Sequence, residues 1–352
     1  MSSQSDHVVG VSTDERNADG TESTMASVFM KTKASSLSPS SKSTKIIHCL
    51  NTDNVNTALK LLIDHSILSV PILNRRTKKY TAFIDIVDIL THYLEVFGEN
   101  FTQDADWKEA KGDIDAYIKA KGLLSAECGK VANKSGRNAF YAIDGEAPVR
   151  AVVDNIVKED VHRVPIVSRD GELQTVITQS ALVRWLDANI TGMGKFPEKS
   201  VKELGIGIRD EVYSISHEKP TFEAFRLLKE KQVSGVAVLD DNKRLVGNIS
   251  VSDMKVVGYQ GNLFAPLRQS CGDFVASVQK AAQDKLADKD DGKTPLIPGP
   301  IAVTPEATLE EVFKKLVITR VHRVYIVDRA SAKLVGVISL GDLLSAIRTH
   351  IK

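Results

Sequence analysis

The sequence contains a seven-residue stretch, VHRVPIV at residues 161–167, that recurs as VHRVYIV at residues 321–327. Each copy places a basic pair ahead of an apolar run that is typical of a buried β-strand. Two further apolar runs, at residues 68–73 and 233–239, occupy the equivalent place in their own parts of the chain. Four copies of one pattern predict a protein built from internal repeats, and this decides the fold class.

The same unit surrounds each apolar run. From residue 45 onward the pattern predicts a short strand, an amphipathic helix, two strands joined by a turn, and a second helix. Residue types that initiate helices precede the first helix of each unit, at Asp53, Pro148, Pro220 and Pro305. We therefore predict an α/β fold of the α+β kind with four βαββα repeats. The repeats span residues 44–98, 139–191, 204–260 and 299–352, and linkers or inserts span residues 99–138, 192–203 and 261–298.

The first 43 residues differ from the rest of the chain. They are rich in Ser, Thr, Asp and Asn and carry few apolar side chains, so they bury too little surface to offset the entropy of ordering. We predict a mostly disordered tail over residues 1–43. The apolar island Ser27–Met30 is the exception, and it predicts a segment, residues 27–33, that docks on a partner.

The composition limits the class of protein. With 42% hydrophobic and 26% charged residues, the 352-residue chain is typical of a globular protein with a substantial core. Its 46 basic and 45 acidic residues give no overall field, so we expect neither nucleic acid nor a membrane as a partner. The three cysteines are isolated in sequence, and no secretion signal or long apolar span occurs. We expect a cytoplasmic protein that is also found in the nucleus.

A polar tetrad ends the second strand of each hairpin, at residues 85–88, 178–181, 250–253 and 339–342. A hydroxyl with an acid three residues later satisfies free N–H groups at a helix start, so capping explains any single tetrad. The acids Asp88, Asp253 and Asp342 at one matched offset favour a second role. A carboxylate beside a helix N-terminus can accept both hydroxyl hydrogens of a ribose, and the helix dipole favours a nearby phosphate.

The basic pairs His162-Arg163 and His322-Arg323 suit the phosphate end of the same ligand. Arginine presents a planar fork to phosphate oxygens, and histidine donates at least one hydrogen bond. A solvated arginine beside a partly buried histidine is the alternative for a single pair. Two identical pairs at equivalent strands favour a shared anionic ligand.

The chain lacks the motifs of the common enzyme classes. Gly205-Ile206-Gly207 is no dinucleotide loop, because Asp210 stands where the third glycine belongs, so it predicts a loop only. P-loop, HExxH, GxSxG and kinase signatures do not occur, and His217 and His350 stand alone. We therefore expect no enzymatic activity, no catalytic residue, no metal and no catalytic cofactor.

The pattern of an apolar strand, a turn and a strand ending in S/T-x-x-D resembles the cystathionine-beta-synthase (CBS) repeat. Over residues 27–352 the chain also resembles the gamma, or SNF4-like, regulatory subunit of the AMP-activated protein kinase family. The matching segments are Phe29-Met30-Lys31, His162-Arg163, Leu204-Gly205-Ile206-Gly207 and His322-Arg323.

The resemblance implies a fold and a set of binding residues. It implies two tandem CBS-pair modules, stacked as a disk, with nucleotide sites around the centre. By analogy, the ribose would be bound by Asp88, Asp253 and Asp342, the adenosine would lie near Thr178, Ser250 and Ser339, and the phosphates would be bound by His162, Arg163, His322 and Arg323.

Three positions depart from the pattern of that family. Ala181 stands where a ribose acid belongs, so we expect the site of the second repeat to be empty. Leu68 replaces a basic residue in the first repeat, and Asp85 replaces a hydroxyl. Carboxylates at Asp85 and Asp88 would repel a phosphate, which weakens the case for a first site.

The favoured interpretation is a non-catalytic sensor that binds AMP, ADP or ATP and regulates a protein kinase. Its implied partners are a catalytic, alpha-type subunit and a scaffold, beta-type subunit. Two alternatives stay open, a stand-alone CBS protein that regulates a non-kinase partner and a ligand-free interaction scaffold. The retained acids and arginines disfavour the scaffold.

Overall fold

The computed structural model describes residues 24–37, 46–65, 67–97, 122–253, 265–287 and 299–351. Repeats 1, 2 and 4 show the complete predicted order of a short strand, a helix, a two-stranded hairpin and a second helix. In repeat 3 the described residues stop after the hairpin, at residue 253, and resume at residue 265. The four-repeat α/β prediction is confirmed.

The elements are as follows, in chain order. Ahead of the repeats lies α1 (Thr24–Lys31). Repeat 1 and the segment after it contain β1 (Cys49–Leu50), α2 (Val55–Asp64), β2 (Ser69–Leu73), β3 (Tyr80–Asp85), α3 (Ile86–Phe97) and α4 (Cys128–Val131). Repeat 2 and the segment after it contain β4 (Ile143–Asp144), α5 (Val149–Lys158), β5 (Arg163–Val167), β6 (Leu173–Thr178), α6 (Gln179–Ala188) and α7 (Val201–Leu204). Repeat 3 and the segment after it contain β7 (Ser214–Ser216), α8 (Thr221–Glu230), β8 (Gly235–Leu239), β9 (Leu245–Ser250) and α9 (Cys271–Ala287). Repeat 4 contains β10 (Ala302–Val303), α10 (Leu309–Thr319), β11 (Arg323–Val327), β12 (Leu334–Ser339) and α11 (Leu340–His350).

Of the helices described, none has the length and apolar composition needed to cross a bilayer.

Each repeat folds around a three-stranded mixed sheet. Its first strand runs parallel to the second, and the second pairs antiparallel with the third. The start of the second strand faces the end of the third, through the pairs Ser69–Asp85, Arg163–Thr178, Gly235–Ser250 and Arg323–Ser339. The sheet therefore places the basic pairs and the tetrads at one end.

Connecting segments are exchanged between neighbouring repeats. In repeat 2 the N–H of Val149, at the start of α5, donates to the carbonyl of Thr32, from the segment ahead of repeat 1, at 2.8 Å. The equivalent bonds run from Val55 to Ala126, from Thr221 to Gln269 and from Leu309 to Lys199, each at 2.9 Å. Repeats 1 and 2 form one tandem module, and repeats 3 and 4 form the other.

Two hydrophobic cores join the modules through their helices. Leu62 and Tyr93 of repeat 1 share one core with Phe225 of repeat 3. Leu186 of repeat 2 and Phe313 of repeat 4 belong to the second core. Each fully buried apolar side chain of this kind stabilises the fold by roughly 1.5 to 3 kcal/mol. The modules therefore stack with repeat 1 on repeat 3 and repeat 2 on repeat 4.

The segment ahead of repeat 1 packs on its own chain. Helix α1 buries Met25 and Phe29, and the Phe29 ring meets the Trp185 ring of α6 edge-on with centroids 5.4 Å apart. The prediction of a disordered tail is therefore wrong for residues 24–37. Within the predicted partner-docking segment, residues 27–33, Phe29 belongs to the core of repeats 2 and 4, and docking on a partner stays a prediction.

The linkers compare with the sequence predictions as follows. In the first insert, residues 99–138, Cys128 and Val131 of α4 are buried in the core of repeat 1. A helix predicted over Trp107–Lys121 lies outside the described residues. Gly205-Ile206-Gly207 forms a loop as predicted, and Gly207 (φ +71°) lies so close to β12 that a Cβ there would be 2.6 Å from the carbonyl oxygen of Val337.

Candidate functional site

The first residue of three tetrads caps the helix that follows. Thr178 Oγ1 accepts a hydrogen bond from the N–H of Ala181 at 3.1 Å, and Ser339 Oγ accepts from the N–H of Asp342 at 3.2 Å. Asp85 acts in the same way in repeat 1, where its Oδ1 accepts from two backbone N–H groups of the first turn, each at 2.9 Å. The capping interpretation of the tetrads is therefore confirmed at these positions. A residue that binds a ligand here would do so in addition to capping the helix.

Asp342 uses both carboxylate oxygens within the protein. Its Oδ2 accepts from the N–H of Ser339 at 2.9 Å and from the hydroxyl of Ser339 at 2.6 Å. Its Oδ1 pairs with Nη2 of Arg209 at 2.7 Å. The Arg209 side chain is 50% exposed, so this ion pair contributes little and opens readily to a competing hydroxyl.

Asp253 lies at the junction of repeats 3 and 4. Its Oδ2 accepts from the N–H of Ser250 at 2.7 Å, and the Ser250 and Ser252 hydroxyls are 2.7 Å apart. The phenol of Tyr325, on β11 of repeat 4, is buried, and burial together with the nearby Asp253 charge raises its pKa. A partly exposed carboxylate thus lies beside the sheet of the neighbouring repeat.

Asp88, by contrast, is sealed inside repeat 1. It has no exposed surface, and its Oδ1 accepts from both the N–H and the hydroxyl of Ser135, at 2.9 and 2.6 Å. Its Oδ2 accepts from the N–H of Asp85 at 2.9 Å. Burial and the Asp85 charge raise the pKa of Asp88 to about 7. A hydroxyl of the protein thus occupies the place that was predicted for a ribose hydroxyl.

Arg163 reaches from repeat 2 into repeat 1. It is buried, with Nη2 3.5 Å from Oδ2 of Asp85 and its guanidinium carbon 5.7 Å from the centre of the Phe83 ring. The Nδ2 group of Asn138 donates to the same Asp85 oxygen at 2.5 Å. Nε and Nη1 of Arg163 are buried and have no hydrogen-bond partner among the residues that the structure describes. Burial lowers the pKa of this guanidinium, and the Asp85 charge opposes that shift.

Arg323 makes the equivalent crossing in the other module. Its Nη2 donates to the hydroxyl of Ser234 at 2.6 Å, and its Nη1 donates to Oδ1 of Asn248 at 3.1 Å. Tyr325 donates to the same Asn248 oxygen at 2.7 Å. A Cβ at Gly235 would collide with the guanidinium, so repeat 3 has room for it only because this residue is glycine.

The histidines of the two basic pairs are close enough to interact electrostatically. His162 Nε2 accepts a hydrogen bond from Nη2 of Arg137 at 3.0 Å, because a guanidinium can only donate. Burial, followed by the charges of Arg137 and Arg163 and by His322, lowers the pKa of His162 to about 3. His162 is therefore neutral at physiological pH, so it contributes no positive charge to the binding of a phosphate.

We call Arg137, His162, Arg163, His322 and Arg323 the central basic cluster. The charges of this cluster act on one another. Burial lowers the pKa of Arg137 most, and the charges of Arg163 and Arg323 lower it further. The structure thus brings the four predicted phosphate residues to one region. Asp253 adjoins this region through Tyr325, whereas Asp342 pairs with Arg209 and Asp88 is sealed.

Four residues of the site have no counterpart in the sequence predictions, namely Arg137, Ser135, Asn138 and Arg209. Arg137, Ser135 and Asn138 lie in the predicted linker, residues 99–138, and Arg209 lies in repeat 3 just after the predicted loop, at a position that no other repeat marks, so the repeat pattern gave no signal for them. Asn248 lies on β9, between the buried residues Gly247 and Ile249. A polar residue between two buried neighbours on a repeat strand is a signal that the sequence offers.

One surface group of metal-ligating side chains occurs in the described part of the chain. His217, Glu218 and Asp241 lie together, with Nε2 of His217 3.4 Å from Oδ1 of Asp241. Both acids are exposed, and exposed acidic groups commonly lie together without a metal.

Comparison with known proteins shows which proteins this chain is similar to. The family model of the CBS domain matches residues 137–188, 201–257 and 296–349, which correspond to repeats 2, 3 and 4. Protein sds23/moc1 of Schizosaccharomyces pombe is 25% identical over 327 residues, which cover 85% of this chain and 76% of that protein. The SNF1-related protein kinase regulatory subunit gamma-1 of Arabidopsis thaliana is 25% identical over 347 residues, which cover 88% of this chain and 80% of that protein.

One solved structure supports the fold. Protein MJ1225 from Methanocaldococcus jannaschii, described as a proposed archaeal homologue of gamma-AMPK, superposes with a TM-score of 0.64. The match covers 90% of this chain and 100% of that chain at 14% identity, so it supports the fold alone. The chain thus folds into four βαββα repeats in two tandem modules. Three of these repeats match the CBS domain, and the chain is similar to the SNF1-related kinase gamma subunit and to Sds23.

Proposed function

We propose that this chain is a non-catalytic regulatory subunit that binds adenine nucleotides in its CBS clefts and regulates a protein kinase. The observation that carries the proposal is the buried central basic cluster. Arginine keeps its charge at any physiological pH, and buried charges need a partner of opposite sign. Unpartnered N–H groups on Arg137 and Arg163 favour an anion with several oxygens, as a phosphate has.

The acids at the helix starts supply the other end of the ligand. Asp253 and Asp342 are partly exposed and keep the geometry of a carboxylate beside a helix N-terminus. Asp88 is excluded from this role in the conformation described, because Ser135 uses its oxygens. We therefore place the ribose of the nucleotide at the acids of repeats 3 and 4 and at neither acid position of repeats 1 and 2, with the phosphates directed at the central basic cluster.

Regulation follows from the difference in phosphate charge among AMP, ADP and ATP. Each nucleotide would favour its own arrangement of Arg163 and Arg323, and a ligand shifts a conformational equilibrium by its difference in affinity for the two states. The kinase as the regulated partner, with alpha-type and beta-type subunits, is supported by the relative named a protein kinase regulatory subunit. The same proposal places the protein in the cytoplasm and nucleus.

A second candidate function is the regulation of a partner that is not a kinase. Sds23/moc1 is as similar to this chain as the kinase subunit is, at 25% identity each. The burial of Phe29 also removes one argument for the kinase, because the segment predicted to contact a kinase subunit packs on Trp185. Affinity capture of the full chain with mass spectrometry separates the two candidates. A kinase catalytic subunit among the captured proteins supports the first, and its absence favours the second.

Nucleotide binding is tested by thermal unfolding. We expect millimolar AMP or ADP to raise Tm, since a ligand at 100 times its Kd stabilises the folded state by about 2.7 kcal/mol. The double variant Asp253→Ala, Asp342→Ala should lose this shift. Its matched control is Asp64→Ala, Asp170→Ala, which removes two exposed acids that belong to no tetrad. An unchanged Tm with AMP, ADP and ATP would contradict the proposal.

A further inference from the structure

Arg137 is a buried cation that the repeat pattern does not account for. It lies ahead of β4 in the segment that connects repeats 1 and 2. Its Nη2 donates to His162 Nε2 at 3.0 Å, and its Nη1 is buried without a hydrogen-bond partner. A buried N–H group without an acceptor is costly, and the residues that the structure describes supply no acceptor for Nη1.

Arg137 interacts with two further arginines, Arg163 and Arg323, and with two acids, Asp85 and Asp160, so the five groups together carry one net positive charge. Burial lowers the pKa of Arg137, the Asp85 charge is the strongest of the charges and opposes this shift, and the two other arginines lower the pKa further. Asp85 is already engaged by Asn138 and by Arg163. His162 cannot relieve the repulsion, because it is neutral and already accepts from Arg137. An external anion would balance the remaining charge.

The N–H groups of Arg163 also favour an external anion as their hydrogen-bond acceptor. Within the described part of the chain, its Nε and Nη1 have no acceptor, and only 6% of the residue is exposed. Guanidinium groups form their strongest hydrogen bonds with carboxylates and phosphates, and two forks can share one phosphate group through its several oxygens. Arg137 and Arg163 therefore supply a donor set that suits a phosphate.

Repeat 1 lacks a cation of its own at this place. Leu68 and Ser69 stand where repeats 2 and 4 have the histidine and arginine of the basic pair. The segment that carries Arg137 is anchored to repeat 1, since Ser135 binds Asp88 and Asn138 binds Asp85. This anchoring places the Arg137 guanidinium beside repeat 1, which has no basic residue of its own at this position.

We propose that Arg137 is a phosphate-binding residue that acts with Arg163 on the phosphate group of the nucleotide. This inference rests on the proposed function, since it names a further residue for the same ligand. His162 then acts as a positioning residue, which holds the Arg137 guanidinium through Nε2. The linker between repeats 1 and 2 thereby takes part in recognising the phosphate.

The test measures binding of four probes, AMP, ATP, adenosine and inorganic pyrophosphate, by calorimetry on the full chain. We expect Arg137→Leu to weaken AMP and ATP about 10- to 100-fold, the loss of one to two charge-assisted hydrogen bonds, and to change adenosine by less than about 2-fold. Arg137→Lys keeps the charge but loses the fork, so its loss should be intermediate. Arg169→Leu, at an exposed turn of repeat 2, removes the same charge elsewhere and should bind as the wild type does.

The outcomes separate this inference from the proposed function. If the wild type binds ATP and Arg137→Leu binds it equally well, Arg137 is not a phosphate ligand and the proposed function stands. If the wild type binds pyrophosphate through Arg137 but no adenine nucleotide, the proposed function fails and the anion site remains. Equal weakening of adenosine and ATP would also overturn the inference, because it indicates a structural role. Should Arg137→Leu fail to fold, the comparison of ATP with adenosine in Arg137→Lys decides.

Discussion

The guanidinium of Arg163 lies 3.5 Å from the carboxylate of Asp85, and this buried ion pair joins repeat 2 to repeat 1. Arg323 occupies the equivalent position in the other module, but its partners are the neutral Ser234 and Asn248. The same residue of the repeat is therefore held by a charge in one module and by a hydroxyl and an amide in the other. This difference leads to contrasting expectations for the two arginines.

Replacing Arg163 by Met should be strongly destabilising. The substitution leaves the Asp85 carboxylate buried without its cation, and removal of one partner from a buried ion pair costs about 3 to 5 kcal/mol. The measurement is the free energy of unfolding in urea. The control Arg169→Met removes an exposed arginine and should change this free energy by less than about 0.5 kcal/mol.

A double-mutant cycle then isolates the pair. Asp85→Asn removes the orphaned charge, so Arg163→Met should cost less in that background than in the wild type. We expect a coupling free energy of about 1 to 3 kcal/mol. Strict additivity of the two substitutions would show that Asp85 does not depend on Arg163.

Gly235→Ala should destabilise the second module by displacing Arg323. A Cβ at this position collides with the guanidinium, which must then give up its hydrogen bonds to Ser234 and Asn248. We expect a loss of about 2 kcal/mol in the free energy of unfolding, since a hydrogen bond to a charged group contributes roughly 1.5 to 3 kcal/mol. Gly299→Ala is the control, because a Cβ there has no neighbour within 4 Å. In an Arg323→Ala background the Gly235→Ala substitution should cost almost nothing, and a persistent loss would point to strain elsewhere.

Much of the fold was predictable because it depends on local patterns that recur. Strand and helix periodicity gave the βαββα order, and the tetrads marked the helix starts. The exchange of segments between neighbouring repeats was not predictable, since it rests on backbone hydrogen bonds such as that from Val149 to Thr32. The packing of Phe29 on Trp185 was missed for a related reason, because an apolar island in a polar tail does not reveal which surface covers it.

The candidate site shows the same limit. His162, Arg163, His322 and Arg323 were found from their repetition, and the structure brings them to one region. Arg137 occurs once and lies in a linker, so no repetition marks it. The state of Asp88 was also hidden, because Ser135 approaches it from 47 residues away in the sequence.

The stability of the protein should fall as pH rises from about 5 to 8, through Asp88. Its folded pKa is about 7, above the value of about 3.9 for an unfolded Asp, so the folded state holds a proton that the unfolded state has lost. Raising the pH from 5 to 8 removes this proton at a cost of about 3 kcal/mol, and the effect levels off above pH 8. The free energy of unfolding of Asp88→Asn, measured at the same pH values, should lack this component. Identical pH dependence in both proteins would show that Asp88 is ionised throughout.

Phe29→Ala should loosen α1 from repeat 2. Phe29 is fully buried against Trp185, and truncation of such a ring costs about 3 kcal/mol or more. The chain has 2 tryptophans, so a Trp107→Phe background reports Trp185 alone, and its emission should shift to the red as water reaches the indole. Met30→Ala is the matched control, because Met30 is 41% exposed and should leave both emission and stability unchanged. If Phe29→Ala also leaves the Trp185 emission unchanged, α1 does not pack on α6 in solution, and the segment is again available to a partner.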